Sequence, residues 1–434
     1  MKQKLIIIVL SILFALNSFG EETQIPDKTI DVETAVQSVL QTHLSVRQSE
    51  IQLEQAKRKY AHAWNNFLPS LSANISGGAN GGLTSTATNA LTFSTGINAN
   101  LNISLGVGKK IAALKAAYES GQKDYEDTVR EIETEIRKSF YSLLYMQGQV
   151  DISRSSVNAN EAQYNQTKIK KSQGLVTELD LLTSQVNYES AKINLRNTEK
   201  AYFTATFKFL NEIGINVEPG QRVSFEGSLD DYVNANDFEL SQENLDELIE
   251  NSPAIRTIKN TLNKNKISRS QLALSAYLPN IMLSANISPY SYSYNLSNKI
   301  GTKRDSWSVS AGLSFALDNY IPGSAVRDNI ADMDDSIKTL EVQLDKKRQQ
   351  IKTNIIEILN EIEIAKEGLE NCRLNIDLAR KTYEMAEVAY KNGTKDLNSL
   401  QSIHNAYSNA KLQYKNQQLT LINSRLTLKS LIGK

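Results

Sequence analysis

Leu68-Pro69-Ser70-Leu71-Ser72-Ala73-Asn74-Ile75-Ser76 reads LPSLSANIS, and Leu278-Pro279-Asn280-Ile281-Met282-Leu283-Ser284-Ala285-Asn286-Ile287-Ser288 reads LPNIMLSANIS. Each opens on a proline and then alternates apolar with small polar residues. A second alternating run follows each. In residues 93–105, Phe93, Thr95, Ile97, Ala99, Leu101, Ile103 and Leu105 oppose Ser94, Gly96, Asn98, Asn100, Asn102 and Ser104. In residues 307–317, Trp307, Val309, Ala311, Leu313, Phe315 and Leu317 oppose Ser308, Ser310, Gly312, Ser314 and Ala316. Period two over this length means strands. A polar face that is small and uncharged suits a wet lumen, with lipid on the other side. A half-buried sheet of a soluble protein also alternates, but aromatic residues tilt the balance. Phe93, Tyr290, Tyr292, Tyr294 and Trp307 gather toward one end of the runs, and Phe67 and Tyr277 stand just before each Leu-Pro. That pattern predicts two aromatic girdles. The alternation changes phase at Pro289, which predicts a bulge or a strand end there.

The chain is written twice. Gln173-Gly174-Leu175 and Asn392-Gly393-Thr394 form a second matching pair, so each half runs helix, Leu-Pro, two strands, long helix, glycine, helix. Such a period indicates a duplicated unit. The expected parts are an export signal at 1–20, a first repeat at 21–215 with its hairpin at 70–105, a connection at 216–240, and a second repeat at 241–434 with its hairpin at 280–317. No proline falls within 70–218 or 323–434, which permits long helices. Ile351, Ile355, Ile358, Ile362, Ala365, Leu369, Cys372, Ile376, Ala379, Tyr383, Ala386 and Tyr390 advance in steps of four and three, the seam of a left-handed coiled coil. Val129, Ile136, Leu143, Val150, Val157 and Tyr164 mark the first-half counterpart. Cys372, on the seam, is expected as a small buried hydrophobe. One helix over 324–391 would be about 100 Å long, and helices over 30–66 and 176–211 laid end to end would match it.

Composition removes most enzyme chemistry. Lys+Arg 48 and Asp+Glu 48 leave no net charge, against an electrostatic nucleic-acid binder. The single cysteine allows no internal disulfide or multi-cysteine zinc site. His43, His62 and His404 are far apart and are expected on surfaces or between helices, not as ligands. No nucleotide or hydrolase motif is present, so no cofactor and no metal are expected. Lys2 and Lys4, an apolar run from Leu5 to Leu16, and Ser18 and Gly20 make an export signal cleaved after Gly20. No other stretch approaches the ~18 apolar residues of a membrane helix. Entry into a membrane must then be as a closed β-barrel. Four strands cannot close one, since the smallest have about eight. The chain must oligomerise, and three copies would supply twelve strands.

In this order of parts the sequence resembles the TolC-like outer-membrane efflux proteins, over essentially the whole mature chain. The resemblance implies a mainly α fold with a transmembrane β part: a homotrimer whose long coiled-coil helices form an α-barrel in the periplasm, continued by a twelve-stranded β-barrel in outer-membrane lipid. It implies the passive exit duct of a tripartite export system, with a periplasmic adaptor and an inner-membrane transporter as partners and small-molecule efflux as the task; type I protein secretion is the alternative within the family. A periplasmic coiled-coil scaffold is the alternative outside the family. The resemblance further makes the residues after each glycine the helix tips that close the tunnel and dock the adaptor: Gly174, Leu175, Glu178 and Asp180, then Gly393, Thr394, Lys395, Asp396, Ser399 and Ser402. Asp180 matches an acidic tip position. Ser399 and Ser402 stand where relatives carry aspartates, so cation selectivity would rest on Asp180, Glu178 and Asp396. Lys395 is the expected pairing partner of an inward-turned acid. For each acid, a first-turn position on a helix is also favourable in itself.

Overall fold

The computed structural model describes residues 28–81, 90–216, 223–233, 245–296 and 299–433. The expected export signal and most of the 216–240 connection lie outside the described residues. In chain order the elements are β1 (Lys28–Ile30), α1 (Val32–Thr42), α2 (Leu44–Ala61), β2 (Ser70–Asn80), β3 (Ala90–Ser104), α3 (Val107–Ser172), α4 (Glu178–Glu212), β4 (Val223–Phe225), α5 (Leu229–Val233), α6 (Leu245–Asn251), α7 (Pro253–Tyr277), β5 (Asn280–Asn295), β6 (Ile300–Ser314), α8 (Ala325–Lys391) and α9 (Leu397–Ile432). Short 3-10 turns lie at Ala63–Phe67 and Leu317–Tyr320. The duplicated order is visible: helices, two strands, a helix of 66 or 67 residues, a glycine turn, a return helix. The chain forms two compact units, each drawing on both repeats.

One unit comprises Leu44–Glu131, Glu239–Asn360 and Thr427–Lys434. Its centre is a four-stranded antiparallel sheet in the order β2-β3-β5-β6. The first strand of each pair, β2 and β5, begins where a helix is forced to stop. α7 ends at Tyr277 because Leu278 precedes a proline and is extended, at ψ 155. Leu68 before Pro69 does the same, at ψ 141. The alternation then sorts the side chains into rows. Ala73, Ile97, Ile287 and Trp307 are successive register partners across all four strands, as are Leu71, Ala99, Ala285 and Val309. The opposite face carries Asn98 Nδ2 donating to Asn74 Oδ1 at 2.9 Å, a bond from Asn286 to Asn98, and hydroxyl pairs Ser76–Ser94 (2.8 Å) and Ser284–Ser310 (2.6 Å). Gly96 stands opposite Asn74, where a Cβ would fall 2.8 Å from the amide oxygen, so this ladder needs glycine there.

Pro289 is at a bulge, not a strand end. The β5–β6 register slips between Ser288 and Ser291, and the β3–β5 register between Thr95 and Ile97. The extra residue reverses the phase of β5. Tyr290, Tyr292 and Tyr294 therefore pair with Thr95, Phe93 and Leu91 and stay on the apolar face.

The other unit comprises Met1–His43, Ile132–Phe238 and Glu361–Leu426. An aromatic core holds it: the Phe140 ring lies 6.2 Å from Phe209 and 5.7 Å from Phe225, and Tyr141 lies 4.5 Å from Tyr232. β1 and β4 pair in parallel beside it, burying Ile30 and Phe225. The expected continuous helix over 30–66 is corrected here: residues 28–30 are β1 and the helix breaks at His43. The Thr42 hydroxyl turns back to donate to the Ser38 carbonyl at 2.9 Å and reaches the Ile213 carbonyl at 3.4 Å. Such back-bonding bends helices, and the second carbonyl is remote in sequence. The seam on α8 is as expected: from Ile351 to Tyr390 every seam residue is buried or half-buried. Cys372 is half-buried and free rather than fully buried. No helix among the described residues is long and apolar enough to cross a membrane.

Candidate functional site: the helix tips and the apolar sheet face

Each long helix ends in the same reversal. After α3, the Gly174 N–H donates to Lys171 O and the Leu175 N–H to Lys170 O, with Gly174 at φ 71. After α8, the Gly393 N–H donates to Tyr390 O and the Thr394 N–H to Ala389 O, with Gly393 at φ 73. This left-handed closure is glycine's. The return helices are capped by exchanged partners. At α4, Thr177 is the cap, its hydroxyl accepting from the Asp180 N–H at 3.1 Å, while Asp180 Oδ2 accepts from the Thr177 N–H at 2.9 Å. At α9, Asp396 is the cap, accepting from the Ser399 N–H at 2.7 Å and the Ser399 hydroxyl at 2.9 Å. The second tip thus keeps a carboxylate, moved to the cap, with Ser399 in the place of Asp180. Hydrogen bonds from Thr177 hold the Asp180 carboxyl below its ordinary pKa, and those from Ser399 do the same for Asp396. Both acids stay ionised.

Lys395 is not the pairing cation within the chain. Glu178 pairs with Lys171 at 3.1 Å, while Lys395 is exposed and carries no ion pair among the described residues. Ser402 is exposed, and so are Leu175 and Leu179. Thr394 turns its hydroxyl onto Ala389 O at 3.0 Å. The two tips are joined by residues that the motif did not mark. Lys170 Nζ donates to Tyr390 O at 3.2 Å and lies over the Tyr390 ring, and Thr167 and Tyr390 exchange a hydroxyl bond at 3.3 Å. Tyr390 lies at the end of the α8 seam, which was its signal.

The sheet's apolar face is bare. Leu71, Ile75, Trp307, Val309 and Leu313 are each more than 60 % exposed. Burying one such side chain is worth about 1.5–3 kcal/mol, so leaving five in water costs on the order of a domain's whole stability. From Ile103 to Leu91 the apolar rows rise ~3.3 Å per residue. At a barrel tilt of ~40° they cover roughly 30 Å, close to the hydrocarbon thickness. Phe67 is exposed at the helix end, and the Tyr277 ring lies 5.5 Å from Tyr320, an aromatic residue the alternation did not mark. At the loop end the Phe93 ring lies 6.0 Å from Tyr290. Trp307 is the last apolar outer residue of β6 before Asp305 and Lys303.

The outer membrane efflux protein profile matches residues 35–207 and 244–434. The chain belongs to the outer membrane efflux protein family. This efflux protein has the fold of several solved channels. It superposes on the Campylobacter jejuni CmeC outer membrane channel with a TM-score of 0.77 at 14% identity, covering 93% of this chain and 85% of that one. The open state of the Neisseria gonorrhoeae MtrE channel gives 0.76 at 15% over 93% and 88%, and CusC gives 0.77 at 14% over 96% and 95%. No curated relative matches in sequence. As a family member, this efflux protein belongs to the outer membrane and extends into the periplasm. Its relatives are channels rather than enzymes.

Two further features of the efflux protein lie in the tip-bearing unit. Leu179, Leu182, Val186, Ile193, Phe203 and Phe207 make an exposed apolar stripe on α4, and Ile364, Leu374, Leu378, Met385 and Val388 make another on α8. An open groove of about 410 Å³ is lined by Ser153, Ser156, Asn187, Ser190, Asn194 and Asn405, without a charge.

Proposed function

We propose that three copies of this chain assemble into the passive exit duct of a tripartite export system. The observation that carries this is the sheet: an apolar, membrane-high outer face, a hydrogen-bonded Asn and Ser inner face charged only at Arg304 near the loop end, and β2 and β6 left as unpaired edges. Open edges in lipid cost several kcal/mol per unpaired backbone group, so each edge takes the opposite edge of a neighbour. The apolar stripes on α4 and α8 supply the matching helical seams. The Asn and Ser groove on the tip-bearing unit faces the lumen, and its lack of charge suits a conduit that holds nothing tightly. Energy for export comes from an inner-membrane transporter, joined through a periplasmic adaptor at the tips around Leu175 and Thr394.

In the trimer, Asp180, Glu178 and Asp396 each recur three times about one axis, and like charges at a narrow opening repel. Closure therefore uses cations, Lys171 within the chain and Lys395 toward a neighbour. Asp180→Ala and Lys395→Ala should each change single-channel conductance in a planar bilayer. Traces identical to wild type from both variants would remove the gate role. Photo-crosslinking from Leu175 and Thr394 in cells should capture an adaptor. An adaptor encoded with a drug or metal pump makes the task efflux, and one encoded with a peptide-exporting ATPase makes it type I secretion. Capture of unrelated soluble proteins alone would count against the duct.

A further inference from the structure

Charge in the strand-forming segments is confined to one place. Residues 68–105 contain no Asp, Glu, Lys or Arg, and residues 278–317 contain only Lys299, Lys303, Arg304 and Asp305. These four lie at the loop end of the β5–β6 hairpin, where the cations outnumber the acid. The register separates them by face. Arg304 is opposite Ser291, on the polar side. Lys303 is opposite Tyr292, which pairs in turn with Phe93, so Lys303 lies in an aromatic row of the apolar face. Its Nζ lies over the Tyr290 ring, 5.0 Å from the centroid. Tyr292 is laid across Gly301, where any Cβ would collide with the ring, so the glycine keeps this tyrosine beside the lysine. Asp305 shares the face, one step toward Trp307, and is not within ion-pair distance of Lys303.

A lysine at this height is out of place in hydrocarbon but costs only ~0–1 kcal/mol at the interface. Its long stem carries the ammonium to the headgroup layer. Two tyrosines flank it with hydroxyls that can donate to an anion. We propose that Lys303, with Tyr290 and Tyr292, forms a seat for the phosphate of an anionic lipid headgroup in the outer leaflet, repeated once per subunit around the rim. The seat depends on the reading that the apolar sheet face meets lipid. Lys299, in the turn at φ 57, adds to the field that draws the headgroup in.

The test uses the full protein reconstituted in nanodiscs that contain zwitterionic phospholipid and a small fraction of phosphorylated lipid A. Lipid retained after detergent exchange is counted by native mass spectrometry. Wild-type protein should retain lipid A over the zwitterionic lipid. Lys303→Gln should lower that retention about fivefold, the effect of one basic residue near an anionic surface. Lys303→Arg should keep it, and Arg304→Gln, the same charge at the same height on the other face, should leave it nearly unchanged. Equal losses from Lys303→Gln and Arg304→Gln would reduce the effect to diffuse rim charge and overturn the seat. So would full retention by Lys303→Gln. A protein that enters no nanodisc at all would instead defeat the membrane reading itself, and the seat with it.

Discussion

His404 shows how a residue with no motif acquires a role from its surroundings. It is buried among Asn160, Gln163, Tyr383, Leu397, Leu400 and Gln401, beside a cavity of about 20 Å³, room for one water. Its Nδ1 has no protein partner. Burial lowers its pKa from the ordinary value, the nearby Lys411 lowers it further, and Asn405 partly opposes. The folded state therefore prefers the neutral ring, while the unfolded chain takes up a proton near pH 6.5. The stability contributed by the neutral ring is complete above that pH and declines as pH falls below it. Thermal melting should drop between pH 7.5 and 5.5 by more in wild type than in His404→Gln. One proton limits the difference to about 1.4 kcal/mol per pH unit. Superimposable pH profiles would show that His404 carries no linkage. The sequence places His404 only on or between helices, because its neighbours come from α3 and α8. The tip caps were legible in part. The glycines mark the reversals, but the exchange of Thr177 and Asp180 for Asp396 and Ser399 needs the hydrogen bonds to be seen.

At the scale of elements, what could be read depended on periodicity. The α8 seam repeats every 3.5 residues and the strands every two, and both signals are local. The break at His43 was hidden because it depends on a carbonyl at Ile213, brought in by folding. Pro289 lies between these cases: the phase change is in the sequence, but only the pairing with β3 and β6 distinguishes a bulge from an end. The bulge keeps three tyrosines on the apolar face. Deleting Pro289 removes the extra residue, so Ile287, Tyr290, Tyr292 and Tyr294 should fall into simple alternation and all stay on the apolar face. With Tyr292→Cys as the probe and Cys372→Ser as the background, a site labelled slowly by a water-soluble maleimide should stay slow after the deletion. Rapid labelling after the deletion would mean that the register is set elsewhere.

At the scale of the molecule, the apolar stripes on α4 and α8 and the free edges of β2 and β6 are all surfaces without a partner in one chain. The account assigns them to neighbouring copies. Phe203→Glu or Leu378→Glu places a charge in a helical seam and should leave monomer after gentle extraction while far-ultraviolet circular dichroism stays helical; intact oligomers from both would move the seam elsewhere. The sequence argued for oligomerisation by counting strands, and it could not show which edges meet. The most direct test of the central claim is electron cryomicroscopy of the protein in lipid nanodiscs. The account predicts three copies, with β2 of each hydrogen-bonded to β6 of the next and the asparagine ladder facing a continuous lumen. A particle with another copy number, or with those edges unpaired, would contradict it.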